Sequence, residues 1–335
     1  MTTTAAPLLI GHRGAPGYRP EHTRASFELA FAQGADAVEP DLVSTRDGIL
    51  IARHENEISS TTDVASRPDF AHLRTTKEVD GIELTGWFTE DFTWDELSGL
   101  RARERLPELR RGSTAFDGQQ PVLRLSDVVD LVERQSDLLG RELTLVAELK
   151  HAQYFESLGH PLDELLADQI AGFATSTNLV VESFEQPVLD RVRARRLPGR
   201  RVLLVESESA LETALRPVGG VGLRDRVHGV SVAKAMLQTM DASANVTGTN
   251  DLVARLHAER LLVWVWTLRA ENAFLPLNLR RGPVSTDFGD WLTEFTMLVE
   301  TGADGFFADQ PDLLAQALGR AERAERAERA GRAEP

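Results

Sequence analysis

The sequence predicts an α/β chain closed into a parallel (β/α)8 barrel, the TIM-barrel architecture, with a long insertion between its early strands. Three observations carry the expectation. From Leu143 onward short apolar runs alternate with segments of helical period, and strand–helix–strand repetition implies a parallel sheet. The repeats suffice for about seven or eight strand–helix units over a body of about 250 residues, which suits a closed barrel better than an open sheet. The first apolar run is not followed by the G-x-G-x-x-G turn of an open dinucleotide-binding fold.

Taken in order, Leu8-Leu-Ile10 is a short apolar run ended by Gly11 and reads as a buried strand. Thr23, or a residue just before it, caps a helix whose apolar positions Phe27, Ala30 and Phe31 share a face, and Gly34 stops it. Ala37–Val43 is the next strand. Asp47-Gly48 is a turn signal, and Ile49–Ala52 resumes extended structure. Between about residues 59 and 120 periodicity is weak, charges are dense and aromatics are scattered. This is the insertion, with a capped helix start at Thr93-Trp-Asp-Glu-Leu97 and a basic stretch at 101–111. Loops of this length inside a compact domain usually serve as lids or substrate walls. Beyond it, helices around 126–137, 162–175, 187–195, 250–259 and 290–301 alternate with strands at 143–149, 179–181, 201–205, 228–232, 261–266 and 305–307. The organisation expected is one barrel domain over residues 1–318 and a low-complexity charged tail over 319–335. In the tail, Glu322 with Arg326 and Glu325 with Arg329 form favoured i,i+4 pairs.

Composition bounds the function. The 335 residues are 42 % apolar and 27 % charged, the balance of a globular protein with a proper core. The absence of cysteine excludes disulfides, thiolate metal sites and cysteine nucleophiles. A net charge of -15, from 52 acids against 37 bases, argues against a nucleic-acid partner. An anionic substrate would then need a local positive field, built from a bound cation and converging basic side chains. The first residues have no basic and apolar signal-peptide pattern, and no apolar run approaches a membrane span. A cytoplasmic location and no stable membrane insertion are expected, and the oligomeric state is left open.

The chemistry concentrates near the N-terminus. Glu39 and Asp41 lie two apart on one strand and therefore share a face, where two like charges call for something positive between them. A hard divalent cation is the natural partner for such a pair. Pro40 between them removes a backbone donor and suggests a bulge or strand end. If Asp47-Gly48 closes a two-residue hairpin, the strict register sets His54 opposite Asp41, beside both carboxylates. His12 and Arg13 follow the first strand directly and fall on the carboxyl-end rim, where barrel active sites are built. His12 can thus face His54 as base against acid, and Arg13 offers a fork to phosphate. Glu148 and Lys150 are again two apart at the end of an apolar strand, one suited to the cation and the other to phosphate. Each pair alone could be a solvated edge or a polar loop; together they describe a site.

Read together, His12-Arg-Gly14, Pro20-Glu-x-Thr23, Glu39-x-Asp41, Asp47-Gly48, His54, Glu148-x-Lys150, Ser183-Phe184, Val265-Trp-Thr267 and Asp304-Gly-Phe-Phe-Ala-Asp-Gln-Pro311 resemble the glycerophosphodiester phosphodiesterase family. The order is kept over nearly the whole chain, and the insertion after His54 is similar to that of the periplasmic-type branch. The resemblance implies a TIM barrel that uses one divalent cation, Ca2+ or Mg2+, to hydrolyse glycerophosphodiesters to sn-glycerol 3-phosphate and an alcohol. Carried over, Glu39, Asp41 and Glu148 are metal ligands, and His12 and His54 the acid/base pair. Arg13 and Lys150 bind phosphate, Glu21 sits in or beside the site, and Phe184 and Trp266 wall the glycerol pocket. The chain departs from the family pattern at His22, where Asn is usual, at Glu55, where Asp is usual, after Glu55, where Leu-x-Arg-Thr is missing, and at Ala308, where Thr is common. Two other readings stay open: a barrel phospholipase D acting on lysophospholipids or sphingomyelin, and a barrel that binds a phosphodiester without cleaving it.

Overall fold

Eight short parallel strands form a ring: Leu8–His12, Ala37–Glu39, Thr144–Leu149, Leu179–Ser183, Arg200–Val205, Gly229–Ala233, Leu262–Leu268 and Gly305–Ala308. The computed structural model describes residues 6–320. The ring closes through Ala37 beside Thr144 on one side and Leu8 beside Gly305 on the other, so the barrel has no open edge. Helices Arg24–Ala32, Leu125–Leu139, Leu162–Ile170, Gln186–Ala194, Leu252–Ala258 and Trp291–Val299 cover the outside close to where the sequence places them. The Thr23 hydroxyl accepts the Ser26 N–H and so caps the first of these.

Strand parity explains both the core and the site. One buried cluster takes a single residue from each of seven strands: Ile10, Ala37, Val146, Val180, Val202, Trp264 and Phe307. These fill the lumen, while neighbours of opposite parity (Leu9, Val38, Leu145, Val181, Val230, Val263, Phe306) pack beneath the helices. Two residues further along six of these strands the same inward face carries His12, Glu39, Glu148, Glu182, Trp266 and Asp309, and on the seventh it carries Leu204. The polar layer is therefore the next storey of the barrel, at the carboxyl ends of the strands.

The hairpin after Asp41 differs from the expected register. Ser44 pairs with Leu50 and Leu42 with Ala52, and the Arg53 N–H donates to the Asp41 carbonyl at 2.9 Å. Arg53, not His54, stands opposite Asp41. The loop holds three residues because Thr45 closes it, its N–H donating to the Ile49 carbonyl and its hydroxyl to the Asp47 carboxylate. Gly48 takes the left-handed conformation (φ 79°) that such a loop requires at its last position. Pro40 does interrupt its strand: Glu39 pairs with the first barrel strand, whereas Asp41 pairs with Glu148 on the third.

The inserted region has structure of its own. A ribbon, Thr75–Val79 against Ile82–Gly86, turns at Asp80-Gly81, and the helix Trp94–Ser98 starts in a capping box of Thr93 and Glu96. Phe70 meets Phe92 edge-on at 5.2 Å, and Phe92, Leu97 and Leu100 are fully buried. A second ribbon, Gln238–Met240 against Val246–Thr249, and the helices Ala152–Ser157, Glu208–Leu215 and Pro311–Ala317 are not anticipated from the sequence. At the amino ends of the strands, the Arg320 guanidinium donates to the Pro7 and Gly34 carbonyls and to Asp36. The remainder of the expected tail lies outside the described residues. Among the described residues no helix is long and apolar enough to cross a membrane.

Candidate active site

A cleft of about 510 Å3 opens over the polar layer. Of the residues singled out in the sequence, His12, Arg13, Glu39, His54, Glu148, Lys150, Phe184 and Trp266 line it. Glu21 and Asp41 stand behind Arg13: Glu21 accepts from the Arg13 Nη1 at 3.0 Å, and Asp41 Oδ2 lies 3.0 Å from its Nε. Arg13 is held in the left-handed region (φ 56°), with its N–H donating to the Glu39 carboxylate at 3.0 Å. Such backbone strain persists only where the surroundings impose it.

Both cleft histidines are oriented alike. His12 Nδ1 lies 2.6 Å from Asp309 Oδ1, and His54 Nδ1 is hydrogen-bonded to Glu55. With each carboxylate accepting an Nδ1–H, each ring keeps its Nε2 lone pair; that of His54 accepts from Lys150 Nζ at 3.2 Å. Burial, then the charge of Arg13, lowers His12 to about 4, against the opposing pull of Asp309. Burial and Arg13 also lower His54 to about 4. Glu55 is held down at about 2: burial raises it, but the hydrogen bond from His54 and the charge of Arg105 outweigh this.

The carboxylates form a second grouping. Glu39, Glu148 and Glu182 each bring an oxygen into a set whose members lie within 4.8 Å of one another. Burial, then the other carboxylates, pushes Glu39 and Glu182 well up, and Glu148 rises to about 8 although Lys150 sits 3.0 Å away. Glu39 Oε1, Glu182 Oε2 and Asp41 Oδ1 are buried without a hydrogen-bond partner. Buried oxygens that repel one another and lack donors suit a hard divalent cation. Asp41 is next to Glu148 in register, and its Oδ2 faces His22 Nε2 at 2.9 Å and Arg13. Its Oδ1, without a hydrogen-bond partner, is the oxygen left for a cation, although Asp41 is outside the three-carboxylate set.

Several roles in the site become visible only in the fold. Glu182 has the parity of Val180 and pairs in register with Glu148, so a lone carboxylate closing an apolar strand was its signal. Asp309 follows Phe307 by the same rule. His22 replaces an amide at a left-handed position (φ 56°), a conformation that His tolerates better than most side chains, and its ring still donates to Asp41. The insertion sends Arg105 and Leu106 to the cleft, while its aromatics Trp87, Phe88, Phe92 and Trp94 do not line it. Arg13, Arg105, Lys150, Lys234 and Arg269 all line the cleft, so an acidic protein gathers five basic side chains at this mouth beside Glu39, Glu148 and Glu182. Lys150 Nζ also lies 5.5 Å over the Phe184 ring, which meets Trp266 edge-on at 5.6 Å.

Clustered carboxylates, two oriented imidazoles and several basic side chains thus meet at the carboxyl-end rim, where enzymes of the TIM-barrel class carry their active sites. The chain belongs to the glycerophosphoryl diester phosphodiesterase family, whose model matches residues 12–313. It is 26 % identical to a glycerophosphodiester phosphodiesterase of Arabidopsis thaliana, over 91 % of this chain and 84 % of that one. It is 28 % identical to one from Haemophilus influenzae over 57 % of this chain, spanning 53 % of that protein's length. Among solved structures, a phosphodiesterase of Oleispira antarctica in complex with the product sn-glycerol-3-phosphate superimposes with a TM-score of 0.63 at 19 % identity, covering 94 % of this chain and 97 % of that one. A glycerophosphoryl diester phosphodiesterase candidate from Silicibacter pomeroyi gives 0.67 at 18 % identity, over 95 % of each chain. At these identities the structures establish the fold.

Proposed function

We propose that this chain hydrolyses glycerophosphodiesters to sn-glycerol 3-phosphate and an alcohol, with His12 and His54 as the acid/base pair and one divalent cation, Ca2+ or Mg2+, bound by Glu39, Asp41 and Glu148 together with Glu182. The observation that carries the reading is the pair of imidazoles, each fixed through Nδ1 by a carboxylate and each lining the same cleft as the clustered acids. The Oleispira relative's complex with sn-glycerol-3-phosphate supports the substrate class. When bound, the cation supplies charge that a non-bridging phosphate oxygen can share.

Arg13 and Lys150 hold the phosphate, and their contribution is positioning and electrostatics. Arg13 is itself immobilised by Glu21 and Asp41, so it meets the anion in a fixed pose. The neutral Nε2 of one histidine takes the proton of the nucleophile, either water or the glycerol 2-hydroxyl. An anion in the cleft favours the charged form of the other imidazole, which then protonates the leaving alcohol. Phe184 and Trp266 form an apolar wall for the glycerol carbons. The test is release of sn-glycerol 3-phosphate from glycerophosphocholine by the purified chain. EDTA should abolish it and Ca2+ or Mg2+ restore it. His12→Ala and His54→Ala should each lose roughly 100-fold or more in kcat. Full turnover in EDTA, or small losses in both variants, would refute the assignment.

A further inference from the structure

The two carboxylates behind the cleft histidines have a common feature that the barrel itself does not provide. Arg105, from the insertion, donates to Glu55 through Nη1 at 2.8 Å and Nη2 at 2.7 Å, and to Glu21 through Nε at 2.8 Å and Nη2 at 2.6 Å. Arg110, five residues on, donates through Nη2 to Asp309 at 2.5 Å and through Nε to Glu271 at 2.8 Å. Its side chain is 5 % exposed and that of Arg105 20 %, so neither is a loose surface ion pair. The stretch between them is a built turn. The Leu109 and Arg110 N–H groups both donate to the Leu106 carbonyl, and the Leu106 N–H donates to the Glu104 carboxylate. The segment is tied down just ahead of Arg105, Arg103 N–H donating to the Thr61 carbonyl and Ala102 N–H to the Gln120 carbonyl.

We infer that residues 101–112 of the insertion act as a positioning clamp, in which Arg105 fixes Glu55 and hence His54, and Arg110 fixes Asp309 and hence His12. The inference rests on the acid/base reading of those two histidines. A carboxylate gripped by a planar fork cannot rotate away from the imidazole it serves, and so keeps that ring's tautomer and aim. The clamp also accounts for the longer Glu55 in place of the family's Asp: its carboxylate must reach both the His54 Nδ1 and the Arg105 fork. The two halves are unequal. Asp309 also receives the Arg269 Nε at 2.7 Å, whereas Glu55, among the described residues, has Arg105 as its paired cation. Losing Arg105 should therefore harm more than losing Arg110.

The experiment compares kcat and KM for glycerophosphocholine in the full chain with Arg105→Gln, Arg105→Lys and Arg110→Gln, alongside His12→Ala and His54→Ala. Arg105→Gln should lower kcat roughly 10-fold and by no more than the roughly 100-fold ceiling for removing Glu55 itself, the partner directly behind His54 through which Arg105 acts. Arg105→Lys, which keeps the charge without the fork, should recover only part. Arg110→Gln should lose less than Arg105→Gln. In a Glu55→Gln background, Arg105→Gln should add less than a further roughly twofold loss, because both changes act along one line. In a Glu21→Gln background its kcat loss should persist. Wild-type kcat in folded Arg105→Gln, or a loss undiminished by Glu55→Gln, overturns the clamp. Should Arg105→Gln fail to fold, Arg105→Lys carries the same comparison. If the histidine variants retain activity, the acid/base reading has failed; if only the arginine variants do, the clamp alone has failed.

Discussion

Replacing Glu182 with Gln should make the cation-free protein more stable and its response to cations weaker. The change is nearly isosteric and removes one of three carboxylates whose oxygens lie within 4.8 Å. At that distance and an effective dielectric of about 20, one pair of ionised carboxylates repels by about 3.5 kcal/mol. The full repulsion is not realised, because a carboxylate so placed takes up a proton instead. From its ordinary value of 4.5 to pH 7 that uptake limits the penalty to about 3.5 kcal/mol, at about 1.4 kcal/mol per pH unit, although Glu182 has two such neighbours, Glu39 and Glu148. At about 2 °C per kcal/mol for a chain of this size, the Tm of Glu182→Gln in EDTA should rise by no more than roughly 7 °C. With Ca2+ or Mg2+ in excess the wild type gains RT ln(1 + [L]/Kd), and the variant should gain less. Differential scanning fluorimetry of both proteins across a cation titration at pH 7 measures the two effects together. A variant that melts below the wild type in EDTA and shows the same cation-induced rise would refute the reasoning.

Other outcomes follow from the same geometry. His12, facing Arg13, Asp309 and Arg269, and His54, facing Arg13, Asp41, Glu55 and Lys150, both lie at about 4. Raising the pH through that value frees the base, so the acid limb of kcat/KM should fall near 4, and a limb at 6.5 or above contradicts it. The acid, equally low in the free enzyme, is charged only beside the bound anion, so its limb should lie at higher pH in kcat than in kcat/KM. Gly14→Ala should destabilise the chain by about 3 kcal/mol or more, read by urea denaturation, because a Cβ at φ 96° would lie 2.6 Å from the Ser26 carbonyl carbon. Asp163→Ala should cost about 2 kcal/mol and leave kcat unchanged: it breaks the buried carboxylate's bonds to Arg191 (3.0 Å) and Arg195 (2.6 Å) on the outer helices, whose guanidinium groups can return to water. A loss of turnover there would link the outer layer to the site in a way the structure does not suggest.

How much of this could be read in the residues depends on where the signal resides. Strands buried on both faces appear as unbroken apolar runs, so the barrel was legible, and the in-facing parity that leads from Ile10 to His12 or from Val146 to Glu148 needs no tertiary information. The same parity leads from Val180 to Glu182, where a single carboxylate with no partner two residues away carries a weaker signal. The ribbon Thr75–Gly86 was missed because its residues are mostly exposed and alternate no apolar face, although Asp80-Gly81 marked its turn. The hairpin register failed by one residue. Asp47-Gly48 is compatible with loops of two or three residues, and a Thr45–Asp47 side-chain bond decides between them. The insertion's arginines were legible only as a basic stretch, since pairing Arg105 with Glu21 or Arg110 with Asp309 spans 84 and 199 residues of sequence.

The clasp made by Arg320 has a practical consequence for handling the molecule. It gathers Pro7, Gly34 and Asp36 at the amino ends of the strands, on the pole opposite the cleft. A surface or fusion partner attached near residue 6 or residue 320 would present the catalytic mouth outward. Because the two attachment points are neighbours, a short linker could join them and new ends be opened in an exposed outer loop such as Gly159. A permuted chain of that kind should still close its barrel, with residues 6 and 320 joined by a covalent bridge where a guanidinium links Arg320 to Pro7 today.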